Sequence, residues 1–375
     1  MKTFVRTKRF TRICSAGLLP VLALIAGDVR GQERTVRLPG DRLPAVVTTG
    51  VFYQRYLVDD DRHIEEISFP VFASVPVGPT TGLSLRASPA TVTGQNLEPL
   101  SGLSDAQLSL SQSGRLWGSG LVLSLGLNLP SGKRALTQEE LETSVQLSRN
   151  FYDFRTPAFG QGFNLSPSVT WAVPLGEQLV VGLGVAYQYK GSFKPVEEMD
   201  ESYQPGDELL LTGGVDVSIA RATALSGDLT YTLYGTDTIG SEDVFEAGDR
   251  LVATLQFRKY QSFNELRVVG QFRSRGKGSL PAPGADSSPA RQTLNNQLDL
   301  FGSYRMETTA STSIGLHAGV HYFDETDVFS SKLLLSAGVT PEISLSDEVG
   351  FWTSFSFRIG DFTGLEAGTG LSFTL

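Results

Sequence analysis

The feature that most restricts this chain is a two-residue alternation that recurs from about residue 45 to its end. In LVLSLGLNL (121–129), Leu121, Leu123, Leu125, Leu127 and Leu129 share one face, and Ser124, Gly126 and Asn128 share the other with Val122. FWTSFSFRI (351–359) sets Phe351, Phe355, Phe357 and Ile359 against Trp352, Ser354, Ser356 and Arg358. LSGDLTYTLY (225–234) opposes Leu225, Leu229, Tyr231 and Leu233 to Ser226, Asp228, Thr230 and Thr232. Successive side chains on a strand point to opposite faces, so strict alternation over such lengths predicts strands with one apolar face.

Sixteen segments follow the rule: 45–57, 64–77, 80–91, 103–113, 119–130, 163–174, 178–190, 207–221, 223–238, 248–260, 263–275, 292–306, 309–323, 329–345, 348–360 and 364–375. Strands of soluble sandwiches average about 5–6 residues, whereas a tilted membrane strand needs about 9–11. Connections near 78, 114–118, 175–177, 222, 261, 307 and 346 are short, and those at 92–102, 131–162, 191–206, 239–247 and 276–291 are long. The expected fold is all-β: a transmembrane antiparallel β-barrel of about 16 strands, with short periplasmic turns and long extracellular loops. Fourteen strands is the alternative, because Pro70 and Pro76 interrupt the second segment and proline cannot donate to a strand ladder.

The first residues read MKTFVRTKRFTRICSAGLLPVLALIAGDVRGQERT. Lys2, Arg6, Lys8, Arg9 and Arg12 precede an apolar run over 13–27, broken by Pro20 and ending in small residues. The run is shorter than the roughly 20 residues of a spanning helix, which predicts a cleaved export signal over 1–31. Residues 32–44 then form a short periplasmic segment, and 45–375 a single barrel in the outer membrane of a Gram-negative bacterium. The one cysteine, Cys14, falls in the signal, so the mature chain has neither a disulfide nor a thiol nucleophile. A net charge of −9 argues against nucleic acid as a partner.

With the apolar face toward lipid, the other face is the lumen wall. A charge facing lipid at mid-membrane costs about 2–4 kcal/mol. Candidate lumen residues are Arg258, Arg267 and Arg273, a basic stripe on two adjacent segments, flanked by Asp216, Asp228 and Asp299. Arg305, Arg358, Glu66 and Glu366 share that face. Two readings stay open: an ion-pair ladder across the wall, or a solute path with a transverse field.

GLHAGVHYF (315–323) carries His317 and His321, four apart. On a helix this spacing suggests a metal site. Here Leu316, Ala318, Val320 and Tyr322 alternate with the histidines, so the element is a strand and both rings face the lumen. Their spacing along it is about 6.6–7 Å. Two ligands are fewer than the three or four of a zinc site, and His63 is far away in the chain. No metal and no cofactor are expected. No phosphate-binding loop, dinucleotide fingerprint or metalloprotease motif is present, so no enzymatic activity is expected either.

The connection 131–162 is unusual. Thr137 and Glu140 in TQEELETSVQL make a capping-box pattern, with Leu136, Leu141, Val145 and Leu147 suited to one face of a short helix. NFYDFRTPAF (150–159) adds Phe151, Tyr152, Phe154 and Phe159. An apolar loop of this length must fold somewhere dry. Leu141, Val145 and the four aromatics are therefore candidates for a constriction of the barrel mouth, the alternative being a packed surface loop.

Three stretches carry a resemblance. GLSDAQLSLSQ (102–112) resembles the GxGD strand of the phenol-degradation (meta-pathway) outer-membrane family, with Ser104 where glycine is common. GLNLPSGK (126–133) is similar to that family's next strand ending, and YQYKGSF (187–193) with YQPGDELLLTGGVDVSI (203–219) to a later hairpin. The family is related to the fatty-acid and toluene channels. The resemblance implies passive uptake of a small hydrophobic or aromatic solute. The chain's last strand, GLEAGTGLSFTL, resembles the termini read by the barrel insertion machinery, which implies that role for Phe373 and Leu375. Outer-membrane lipids, that machinery and a small solute are the expected partners. The competing expectation is a plugged barrel that anchors a partner, with the acidic loop 194–208 as its contact surface.

Overall fold

The computed structural model describes residues 44–57, 62–279, 292 and 294–375. The expected export signal and nearly all of the segment 32–44 lie outside the described residues.

Sixteen strands form one closed antiparallel barrel. The first, β1 (Val46–Leu57), pairs with the last, β16 (Thr363–Thr374), from Val46 opposite Thr374 to Leu57 opposite Thr363. The next three are each broken once: β2 (His63–Ser68 and Val71–Pro76), β3 (Thr81–Ala87 and Pro89–Gly94) and β4 (Leu97–Leu103 and Ala106–Leu116). The breaks are aligned across the sheet, since the Phe69 N–H donates to the Pro89 carbonyl (2.8 Å) and the Ser104 N–H to the Ser88 carbonyl (2.9 Å). Pro70 and Pro89 lack the donor that an unbroken ladder would need there. These prolines therefore bend one stretch of wall without lowering the strand count to fourteen.

The remaining strands run unbroken: β5 (Ser119–Leu129), β6 (Asn164–Leu175), β7 (Leu179–Lys190), β8 (Glu208–Ala220), β9 (Thr223–Tyr234), β10 (Arg250–Gln261), β11 (Asn264–Arg275), β12 (Gln297–Thr309), β13 (Thr312–Phe323), β14 (Lys332–Ser344) and β15 (Val349–Gly360). Each pairs with its neighbours in chain order. Tight turns gather at one rim, as at Trp117–Gly118, where both residues take positive φ. The long connections gather at the other rim.

Two of those connections are more ordered than the sequence suggests. Residues 92–102 are not a long loop: β3 and β4 continue through them and turn at Gln95 and Asn96, the latter in the left-handed region at φ 60°. The β-branched residues of ATVTG favour strand, and asparagine tolerates the left-handed turn. Residues 239–247 likewise belong largely to a hairpin, Thr236–Ile239 with Glu242–Glu246, which Tyr203–Gln204 extends to three strands.

The outer face is apolar and exposed. Leu123, Leu183, Leu255, Leu300 and Phe355 are each about half exposed, and they belong to a band that runs round the barrel. Such a belt has no counterpart on water-soluble monomers and matches a lipid-facing surface. The opposite face carries the polar residues.

Candidate functional site: a segment folded into the barrel

The connection 131–162 does not lie on the rim. It turns into the barrel and lies along the inner wall of the half formed by β13 to β16 and β1 to β4. Asp105, at the start of the lower half of β4, holds both of its ends: Oδ1 accepts the Gly132 N–H (2.8 Å) and Oδ2 the Gln161 N–H (2.7 Å). Asn128 braces this clasp by donating to Asp105 Oδ2 (2.8 Å) and to the Gly162 carbonyl (2.7 Å). A Cβ at Gly132 would lie 1.8 Å from the Phe159 carbonyl oxygen, so the two ends approach too closely for any side chain there.

Inside the clasp is a helix, α1 (Gln138–Leu147), with the capping box of Thr137 and Glu140 formed in both directions. Glu140 also pairs with Lys133. The buried face of α1 is Glu140, Thr143 and Leu147, and Thr143 Oγ1 donates to the Glu98 carbonyl (2.8 Å). Leu141 is partly buried against the apolar cluster. Val145 is 51% exposed and lies off the buried face of α1. A helix this short settles on the stripe that also carries a polar anchor, and Thr143 supplies it.

Beyond α1 the aromatics pack. Phe151, Tyr152, Phe154 and Phe159 are 2–5% exposed and form one cluster with Tyr56 of β1, Phe323 of β13, Leu334 of β14 and Phe362. Tyr56 stands edge-on to Phe154 at 5.0 Å and to Phe362 at 5.7 Å. These rings fasten the segment to the wall and are almost completely covered.

Charged and amide groups fix it further. Arg155 pairs with Glu366 of β16 at 2.6 Å and stacks over Phe52, its Cζ 4.5 Å from the ring centroid. Gln54, fully buried on β1, accepts the Arg155 N–H (2.8 Å) and donates to the Asp153 carbonyl (3.0 Å) and to Glu366 (3.2 Å). Glu66 accepts the Thr156 N–H at 3.2 Å, and the Thr156 hydroxyl meets that of Ser88 at 3.0 Å, at the aligned strand breaks. Arg358 of β15 reaches the Tyr152 carbonyl (3.1 Å) and the Asp153 carboxylate (2.8 Å). Asp153 itself has φ 59°, a left-handed conformation that aspartate tolerates better than most residues, and its side chain is 63% exposed. Removing one member of a well-buried ion pair such as Arg155–Glu366 leaves the other charge uncompensated, at a cost of about 3–5 kcal/mol.

The opposite wall, β7 to β12, is left uncovered by this segment, and the predicted lumen residues fall largely there. Arg258 and Arg267 are register partners. Arg258 pairs with Glu265 (3.1 Å), Arg267 donates to Gln256 (2.9 Å), and Arg273 donates to Gln297 (3.1 Å) and Gln271 (3.2 Å). Arg305 pairs with Glu342 (2.9 Å). Asp299 does not pair with the stripe; it holds His321 at 2.8 Å and Gln297 at 2.8 Å. Asp216 and Asp228 form no ion pair with the arginines either, and lie within electrostatic reach of each other. Among the described residues, Glu265, Glu342, Gln297 and Gln271 are partners of Arg258, Arg305 and Arg273, so pairs across the wall form with glutamates and glutamines. Arg273 faces Gln297 in register, and Arg258 and Arg267 reach diagonally across to Glu265 and Gln256.

His317 is set against the Ser356 hydroxyl (3.0 Å), and His321 is held between Asp299 and the Ser336 hydroxyl (3.1 Å). Both rings are thus built into the wall. Leu316 and Val320, their chain neighbours, are 45% and 39% exposed on the outer face.

Sequence reasoning names Glu66, Glu366 and Arg358 as wall residues but not Gln54, Asp105, Asp153 or Arg155 as anchors. Asp105 stands inside a motif that carries the family resemblance. Nothing in the spacing marks the other three, which meet only when the segment enters the barrel.

No family model matches the chain, and no curated protein does. Solved barrels cover most of it at low identity. A high-pH structure of Pseudomonas putida OprB aligns over 88% of this chain and 94% of its own at 8% identity, with a TM-score of 0.48. Pseudomonas aeruginosa OpdQ aligns over 88% and 98% at 12% identity and TM-score 0.43. An outer membrane channel of Pseudomonas putida F1 aligns over 90% and 100% at 12% identity and TM-score 0.40. Likeness at this level says nothing of what this barrel passes.

Proposed function

We propose that the protein is a passive channel of the bacterial outer membrane, with a passage bounded on one side by the inserted segment and on the other by the inner face of β7 to β12. The observation that carries this reading is the anchoring of 131–162 against a single half of the wall. A barrel of sixteen strands is wider than its side chains fill, and a segment pinned to one side narrows it without covering the other.

The resemblance to the phenol-degradation family favours a hydrophobic or aromatic solute. The wall favours a small hydrophilic one: the segment's aromatic rings are taken up in packing, and the face across from them carries Thr212, Thr254, Gln256, Gln271 and arginines. Reconstituted liposomes distinguish the two. Swelling in glycine or a small sugar, without faster uptake of phenol than protein-free vesicles show, supports the hydrophilic path, and the reverse supports the aromatic one. Absence of any conductance step in planar bilayers excludes the channel and favours the plugged, partner-anchoring barrel. Deleting 194–208 and screening for loss of a bound envelope protein then tests that alternative.

A further inference from the structure

The loop-side end of β9 to β11 concentrates positive charge in a manner that narrowing alone does not require. Tyr234 ends β9. Arg275 Cζ lies 4.1 Å from its ring centroid, and Arg250 Cζ and Lys190 Nζ lie 5.9 Å from it. Arg250 and Arg275 are register partners on adjacent strands, and Arg273 is two residues along the same face. Like charges set directly opposite each other destabilise a strand pair. The chain as a whole is acidic, at −9, so this patch does not follow from composition.

The neighbouring acids among the described residues already have partners, Glu208 within the cluster itself. Glu208 pairs with Lys190 at 2.6 Å. Asp207 accepts from the Tyr187 hydroxyl and from the Lys190 N–H (2.8 Å). Asp249 accepts from the Tyr231 hydroxyl at 2.5 Å, Asp299 holds His321, and Asp153 holds Arg358. Asp299 and Asp153 lie within electrostatic reach of Arg273 but form no ion pair with it. Arg250 Nε is buried and has no hydrogen-bond partner among the described residues. Phe272, between Gln271 and Arg273, is 42% exposed on the outer face, so the guanidinium groups turn away from lipid and its headgroups.

We propose that Arg250 and Arg275 form a subsite for the carboxylate of a small organic acid beside the passage, with Arg273, whose own guanidinium is held by Gln297 and Gln271, adding positive charge. A guanidinium fork donates two parallel hydrogen bonds to a carboxylate, and the Tyr234 ring holds the Arg275 fork in place. The site rests on the channel reading and assigns its solute class, a small organic anion. A ring of positive groups in a low-dielectric neck makes a pore select for anions.

The test is reversal potential across planar bilayers in a KCl gradient, followed by titration with benzoate. The expected result is anion preference in the wild type and a conductance reduced by benzoate. In R250Q/R273Q/R275Q the preference is lost and half-block requires about tenfold more benzoate, the order expected for losing charge-assisted hydrogen bonds. Lys259→Gln, which faces outward beside Leu266, leaves both unchanged. The triple lysine variant keeps the anion preference but loses benzoate block, and it serves if the glutamine variant does not assemble. Cation preference in the wild type, or an unaltered triple variant, overturns the site. Equal block by inorganic phosphate overturns its assignment to carboxylates. If no conductance appears, the channel reading fails separately, and equilibrium dialysis of labelled benzoate against the detergent-solubilised barrel decides the subsite: saturable binding that the glutamine variant loses supports it, and no binding overturns it.

Discussion

Single residues on this barrel are read by which face they occupy. Leu316 and Val320 point outward and His317 and His321 inward, so neighbouring substitutions should have opposite consequences. Val320→Arg is expected to impair membrane assembly, at a cost of about 2–4 kcal/mol near mid-membrane, measured as the folded fraction after refolding into vesicles. His321→Ala leaves Asp299 with Gln297 still donating to it and should assemble almost as the wild type does. Cysteines placed singly give a direct check, because the only native cysteine is Cys14. A water-soluble maleimide should label positions 317 and 321 and spare 316 and 320. Labelling of the second pair would reverse the register, since a slip of one residue moves every side chain to the other face.

At the scale of elements, the inserted segment is held at three places: the Asp105 clasp, the aromatic cluster and the Arg155–Glu366 pair. Glu366→Ala leaves Arg155 and Gln54 without a shared acceptor, and should destabilise the inserted position by about 3–5 kcal/mol. Limited proteolysis of the embedded protein should then cut near 149–156, where the wild type resists. Equal resistance would mean that the aromatic packing suffices. Removing residues 138–156 should raise the single-channel conductance, and an unchanged conductance would place the narrowing elsewhere. Gly132→Ala should be poorly tolerated for a different reason, since its Cβ has no room beside the Phe159 carbonyl oxygen.

The whole molecule depends on closure. An open sheet edge in hydrocarbon leaves unpaired amides and carbonyls, each costing several kcal/mol. Pairing of β1 with β16 removes that edge. Cysteines at Thr48 and Ser372, which face each other, should therefore cross-link under mild oxidation in the membrane-embedded protein and withstand denaturing electrophoresis as a closed ring. Failure to cross-link, with cysteines at the adjoining pair Thr49 and Leu371 also failing, would argue against closure at this seam. Deleting the last strand should prevent assembly rather than weaken it.

Strand number, strand order and the sense of each face are legible in the sequence, for one reason. A membrane wall repeats a single local rule: apolar outward, polar or small inward, every two residues. Leu121 to Leu129 announce it without help from the rest of the chain. Capping of α1 is legible for the same reason, because Thr137 and Glu140 are three residues apart and satisfy each other locally. The tertiary structure alone decides where 131–162 goes and which charges pair. Gln54, Asp153, Arg155 and Glu366 are separated by up to 312 residues and meet only after β1 closes against β16. Glu265, not Asp228, pairs with Arg258, because partner choice depends on height in the register of closed neighbours. Alternation assigns a residue to a face. Which residue it touches there depends on strand stagger and on the segment that enters the space, and no local pattern encodes either.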